Sequence, residues 1–244
     1  EICACLVGSE MCIRDRNMKM LQQAYQGKYA FVGIGNHSTN NLYPVLNYLH
    51  VPLKYICCKT PGKLHLIEGV FPHVRATTSL DEVLTDEDIK GVFVSVSSKA
   101  HFSIASRVLA HKKALFIEKP PCLNAEELRR LIELQKQTQV LAMVDLQKRF
   151  APAMQILKKK LQGSKGTKTY NLKFLTGAYP EGDALLDLFI HPIDCVVYLF
   201  GKAEVRCVEP IDEHTVMLVL KHADAIGVLE PVSYTHLRAH ETCA

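Results

Sequence analysis

The stretch YAFVGIGNHS, Tyr29 to Ser38, decides the fold. Tyr29-Ala-Phe-Val is a short apolar run without polar alternation, the signature of a parallel strand buried on both faces. It ends on a glycine, after which Leu42, Val45, Leu46 and Leu49 recur at helical spacing. Gly33 and Gly35 permit a tight strand-to-helix turn. They also let backbone N–H groups approach a pyrophosphate at the helix N-terminus. Asn36 and His37 belong to the same turn. Ser38 stands where the third glycine of the dinucleotide fingerprint would be, and its side chain weakens the motif because that glycine normally allows close helix–strand packing. An ordinary strand–helix turn is the alternative reading of these residues.

Working outward, strand-like and helix-like segments alternate. Strands are expected at Leu53–Cys58, Gly91–Val96, Ala114–Ile117 and Val140–Val144. Helices are expected at His101–Ala110 and Asn124–Gln137, the second capped by Asn124 with Glu127 three residues on. Asp81–Leu84 and Asp86–Asp88 supply polar helix-start chemistry. Such alternation implies right-handed crossovers and a parallel sheet. After Arg149 the pattern changes. Helices at Pro152–Leu161 and Asp183–Phe200 flank a strand at Lys168–Thr176, and extended runs follow at Val205–Val208, Thr215–Leu220 and Ala225–Leu229. Consecutive strands without helices between them predict an antiparallel or mixed sheet. The expected fold class is α/β, a Rossmann doubly wound parallel sheet followed by an incomplete α+β domain.

The two ends of the chain are related through the genetic code. Every codon of Cys3–Arg16 can be the reverse complement of a codon of Pro231–Ala244, and the match fails at Asn17 against Glu230. The ends resemble a translated sequencing-library adapter. Residues 1–16 and 231–244 are therefore expected to be non-native flanks. They bracket a dinucleotide-binding domain at 17–148 and a partial substrate domain at 149–230. A second sheet cut short would expose apolar surface and leave the chain poorly stable and inactive.

Four of the nine cysteines lie in these flanks. The others, Cys57, Cys58, Cys122, Cys195 and Cys207, form no C-x-x-C pair and read as buried small hydrophobes in a reducing compartment, the cytoplasm. The net charge of +4 is modest and spread out, so nucleic acid is not an expected partner. No apolar run approaches the roughly 18 residues of a membrane helix, so no membrane association is expected.

Three further motifs carry chemistry. An enzyme that binds NAD usually places a carboxylate after its second strand to accept the ribose hydroxyls. Here Cys57-Cys58-Lys59-Thr60 has none. Lys59 either pairs with a 2′-phosphate, favouring NADP over NAD, or stands as a solvated loop lysine. Glu118-Lys119-Pro120-Pro121 falls at the C-terminal end of a parallel strand, the edge where open α/β sheets bind ligands, or is simply a rigid turn. In Asp187-Leu-Phe-Ile-His191-Pro-Ile-Asp194, positions i, i+4 and i+7 share one helix face. A carboxylate one turn from a histidine orients the imidazole and raises its basicity. Pro192 is tolerated only in a first turn, so the regular helix begins near Asp187 or later. A structural histidine is the competing reading. A metal site would need more ligands than this cluster offers, and none is expected.

The run VFVSVSSKAHFSIASRVLAHKKALFIEKPP, the QKRFAP after the sixth strand and the Asp-x-x-x-His-x-x-Asp helix resemble the glucose–fructose oxidoreductase / inositol dehydrogenase / MocA-like (Gfo/Idh/MocA) family over Lys28 to Leu229. The resemblance implies that Lys119 and His191 act together at a nicotinamide. Lys119 would hydrogen-bond the reacting hydroxyl and the cofactor ribose, His191 would take the hydroxyl proton, and Asp187 would orient His191 and contact substrate. It implies His101, in the loop after the fourth strand, beside the cofactor, with Glu118 and Lys59 also on the cofactor side. Arg149, Tyr179 and Asp194 become candidates for substrate hydroxyls. The implied activity is hydride transfer between NAD or NADP and a hydroxyl or ketone carbon of a sugar, sugar nucleotide or cyclitol, with homo-oligomers formed through the second-domain sheet. Redox-assisted glycoside hydrolysis or elimination, and a non-enzymatic NAD(P)-binding regulator, are the alternatives on the same fold.

Overall fold

The computed structural model describes Tyr25 and residues 27–71, 73–175, 185–212 and 215–233. Two compact units divide the chain between Val144 and Asp145, ahead of the 148/149 boundary expected from the sequence.

In the first unit the apolar runs are strands: β1 (Lys28–Val32), β2 (Leu53–Cys57), β3 (Arg75–Thr77), β4 (Ile89–Val94), β5 (Ala114–Glu118) and β6 (Ala142–Asp145). They form one six-stranded parallel sheet in the order β3-β2-β1-β4-β5-β6. The order reverses direction between β1 and β4, which pair from Lys28↔Ile89 to Val32↔Val94. The connecting helices are α1 (Tyr43–Tyr48), α2 (Leu64–Val70), α3 (Leu80–Thr85), α4 (Ser98–Ala110) and α5 (Ala125–Thr138). A separate core lies on each side of the sheet. Ala30, Val32, Val92, Val94, Leu115 and Ile117 pack on one side with Val108 and Leu109 of α4, and Phe31 and Ile56 pack on the other with Tyr43, Leu46 and Ile67. Burying a side chain as large as the fully buried Phe31 contributes about 2–3 kcal/mol.

Helix starts follow the local chemistry. The Asn124 side chain accepts from the Glu127 N–H (2.9 Å), and the Glu127 carboxylate accepts in return from the Leu123 N–H (3.0 Å). Asp86–Asp88 does not start a helix. The Asp86 carboxylate caps the turn into β4, accepting from the Asp88 N–H and the Tyr55 hydroxyl. Beside Lys54, that carboxyl is held down at about 2.

The second unit contains α6 (Pro152–Gln162), β7 (Lys168–Leu175), α7 (Ile190–Phe200), β8 (Glu204–Pro210), β9 (Val216–Lys221) and β10 (Ala225–Val232). The sheet is mixed, with order β7-β10-β9-β8: β7 and β10 are parallel, the other pairs antiparallel. β10 continues past Glu230, and Pro231 and Val232 lie opposite Phe174 and Leu175. Val196 of α7 packs on Leu218, Leu220 and Leu229 to form this unit's core. Opposite Tyr170 in the register stands Gly227, where a Cβ would run into the Tyr170 ring. The bare backbone lets that ring lie flat on the sheet and stack on Phe200 at 4.6 Å. β8 is an edge strand exposed along its whole length. Cys207 is consequently exposed, a correction to the expectation that all five internal cysteines are buried.

Candidate functional site

The turn after β1 is built around Gly33. Its φ is +119°, a region L side chains rarely adopt, and a Cβ there would fall 2.8 Å from the Ser95 carbonyl carbon. The constraint arises because β1 and β4 are neighbours and the chain must leave β1 against the end of β4: Ser95 N–H donates to the Val32 carbonyl (2.9 Å), and Gly33 N–H to the Cys57 carbonyl (2.8 Å). Gly35 differs. Nothing lies within 4 Å of where its Cβ would be, so its bareness leaves open space that a ligand can approach.

Ser38, at the third-glycine position, is fully buried. Its Oγ accepts from the Gly35 N–H (2.9 Å) and donates to the Gly35 carbonyl (3.0 Å). The serine thus ties the turn together, and the packing loss anticipated for it is offset locally. A wider π-helical turn, Ser38–Leu42, precedes α1. Tyr43 Oη donates to the Gly33 carbonyl (2.7 Å), and Lys63 Nζ to the Ile34 carbonyl (3.3 Å). Neither residue stood out in the sequence. Tyr43 lies outside the stripe of Leu42, Val45, Leu46 and Leu49 expected from spacing; the buried face is centred on Tyr43 and Leu46, and Val45 is exposed.

Glu118 ends β5 at the same C-terminal edge and is buried. His37 Nε2 lies 2.9 Å from its Oε1, and Asn41 Nδ2 lies 3.2 Å from His37 Nδ1. Lys119 is half-buried one residue on. His101 is on the first turn of α4, not in the preceding loop, because the polar Ser97-Ser98-Lys99 segment starts the helix earlier. It is 1% exposed, and its Nδ1–H donates to the Pro120 carbonyl at 2.6 Å. Burial holds this imidazole below its ordinary value. Lys59 is exposed just beyond β2. Glycine turn, Glu118, Lys119, His101 and Lys59 therefore all belong to one edge of one sheet, the edge at which doubly wound folds bind ligands.

In the second unit a π-helical turn, Leu185–Phe189, carries Asp187, and α7 carries His191, Pro192 and Asp194. Pro192 sits in the first turn of α7, directly after that π-helical turn, so the regular helix begins close to the proline. Asp194 is buried and forms a two-pronged ion pair with Arg149, whose Nε lies 2.7 Å from Oδ2. That pairing raises the Arg149 guanidinium further above its ordinary range, and the guanidinium also lies over the Tyr198 ring at 5.6 Å. Asp187 and His191 are half-buried. Tyr179 lies outside the described residues.

Burial pushes the Cys57 thiol up to about 11 and also raises Cys122 and Cys195. These thiols are poor nucleophiles and poor metal ligands. Among the described residues no group of three His, Cys, Asp or Glu side chains is placed to hold a metal ion, and no helix is long and apolar enough to cross a membrane.

Residues 27–146 match the GFO_IDH_MocA model, an oxidoreductase family with an NAD-binding Rossmann fold. The chain belongs to the Gfo/Idh/MocA family. Among curated members it is similar to the oxidoreductase YhhX of Escherichia coli, 26% identical over 189 residues that cover 72% of this chain and 54% of YhhX. It is also similar to the NAD-dependent scyllo-inositol 2-dehydrogenase of Bacillus subtilis, 31% identical over 136 residues that cover 52% of this chain and 40% of that enzyme. The chain thus spans about half the length of the curated Gfo/Idh/MocA relatives it matches. In fold it is similar to the Thermus thermophilus WlbA (WbpB) dehydrogenase, solved with NAD and UDP-GlcNAcA. The TM-score is 0.73 at 20% identity, covering 86% of this chain and 74% of that one.

Proposed function

We propose that this protein is an NAD(P)-dependent oxidoreductase that transfers hydride between the nicotinamide and a hydroxyl or ketone carbon of a sugar, sugar nucleotide or cyclitol. The observation that carries the reading is the Gly33 turn, with φ of +119° and open space at Gly35, on the same sheet edge as Glu118 and Lys119. The residues present fit a dinucleotide. The open surface at Gly35 would let the pyrophosphate approach the backbone at Asn36, with Ser38 tying the turn and His37 reaching Glu118, and Glu118 and Lys119 would face the nicotinamide half beside the buried His101. Lys59, an exposed cation where a ribose-binding carboxylate would stand, supports a preference for NADP over NAD.

Bound nicotinamide supplies the two-electron acceptor. Lys119 donates to the reacting hydroxyl and holds the oxygen as it loses its proton. His191 accepts that proton, and Asp187 orients the imidazole. Arg149 fixes the Asp194 carboxylate on α7, and these two residues with Tyr179 take part in binding substrate hydroxyls. The outer face of the second sheet carries exposed Leu175 and Ile226 beside the Lys173–Glu230 ion pair, which supports homo-oligomer formation through that face.

The test is titration of the purified full chain with NADH and NADPH by fluorescence, followed by a polyol and sugar-nucleotide panel. Lys119→Ala and His191→Ala should each lower turnover by about 10²–10⁴-fold. Cofactor dependence without accumulation of reduced cofactor would assign redox-assisted hydrolysis or elimination instead. Retention of function in both variants would assign a binding regulator.

A further inference from the structure

We infer that His37 is a positioning residue for the nicotinamide half of the dinucleotide, acting by fixing the Glu118 carboxylate; the inference rests on the dinucleotide reading above. Glu118 ends β5 and His37 lies in the turn after β1, 81 residues away, yet their side chains meet at 2.9 Å. In the sheet order β1 and β5 are separated by β4, a span of roughly 10 Å at ordinary strand spacing. The pair therefore reaches over the end of β4, next to the point where the strand order reverses and doubly wound folds take their ligands.

The hydrogen-bond roles follow from the partners. The Asn41 amide nitrogen can only donate, so His37 Nδ1 accepts from it. Nε2 then carries the hydrogen and donates to Glu118. The result is a directed relay, Asn41 to His37 to Glu118, from the exposed helix surface to a carboxylate whose side chain is only 9% exposed, while the His37 side chain remains 53% exposed. A buried carboxylate held from one side in this way presents its other oxygen in one orientation. The adenosine half would run the other way from the reversal point, over β2 and Lys59, out of reach of this pair. Removing His37 should therefore weaken recognition of the nicotinamide half and leave the adenosine half untouched.

The experiment measures binding of NADH and of ADP to the full chain and to His37→Ala and His37→Gln. It is repeated with NADPH and adenosine 2′,5′-bisphosphate. His37→Ala should weaken NADH or NADPH by about tenfold, as expected for one hydrogen bond to a charged group, with the adenosine nucleotide unchanged. His37→Gln, which keeps a donor at the Nε2 position, should restore most of the loss. Equal losses for dinucleotide and mononucleotide would mean that the turn itself has collapsed, and would overturn the positioning role, as would an unchanged dinucleotide affinity. Imidazole ¹⁵N shifts in the unliganded chain give an independent readout: hydrogen on Nδ1 of His37 would overturn the relay. Failure of the wild-type chain to bind any of the four nucleotides would instead overturn the dinucleotide reading and this inference with it.

Discussion

Replacing the two glycines of the first turn separately should produce opposite defects. In Gly33→Ala the new methyl meets the Ser95 carbonyl, 2.8 Å from its carbon, while the backbone is held at φ of +119°. The conformation alone costs about 1–3 kcal/mol in an L residue. Forcing a methyl against backbone that cannot swing away adds about 1–3 kcal/mol. A total near 4 kcal/mol corresponds to a Tm lower by roughly 10 °C for a chain of this size. In Gly35→Ala the methyl enters open space, so stability should change by no more than about 0.5 kcal/mol. NAD(P)H affinity should nevertheless fall at least about tenfold, because the methyl occupies the path by which a pyrophosphate reaches the backbone. Urea denaturation followed by far-UV circular dichroism, with cofactor fluorescence titration on the same samples, separates the two. A Gly33→Ala chain as stable as wild type, or a Gly35→Ala chain with wild-type cofactor affinity, would refute the reasoning.

Three other outcomes are expected. Asp194→Ala leaves the Arg149 guanidinium without its buried partner; because Arg149 is itself partly exposed, the loss should be about 1–3 kcal/mol, read from the urea midpoint. Gly227→Ala drives a methyl into the Tyr170 ring and should cost about 1–3 kcal/mol, whereas the double variant with Tyr170→Ala should recover part of that loss. Burial keeps His101 below its ordinary 6.5, so the unfolded chain takes up this proton more readily than the folded one. Its contribution to stability is complete above pH 6.5 and is lost as pH falls through that value towards the folded-state one. His101→Gln should flatten the acid limb of a stability-versus-pH curve, and an unchanged limb would refute the assignment.

The parallel sheet was legible because β1, β4 and β5 are short, each is built on an unbroken apolar run (Tyr29–Val32, Gly91–Val94, Ala114–Ile117), and capped or amphipathic segments separate them. Each of those signals is local in sequence. β3, only Arg75 to Thr77, escaped notice because a three-residue strand with a charged first residue has no periodicity to detect. α2 was missed for a related reason: its Leu64–Val70 stretch is brief and follows a Pro-Gly turn. Gly33 was readable as a turn residue because the backbone geometry there demands a glycine. The partners that tie the site together were not. His37 to Glu118 and Lys63 to Ile34 are polar contacts between segments that only the finished sheet brings side by side, and nothing in composition distinguishes those side chains from solvated ones. The same limit hid the ion pair between Asp194 and Arg149, each named only as a candidate for substrate hydroxyls, since the two lie 45 residues apart.

The hydrogen bond from Lys63 to the Ile34 carbonyl has a bearing on any attempt to redesign coenzyme choice. Swapping residues after β2 is the obvious route to exchanging one adenine ribose for another, and Lys63 sits within the same short segment as Lys59. A graft that replaced the whole segment would cut a tether on the glycine turn. Selectivity would then improve at the expense of grip on both coenzymes, whereas a single change at Lys59 would leave the tether intact.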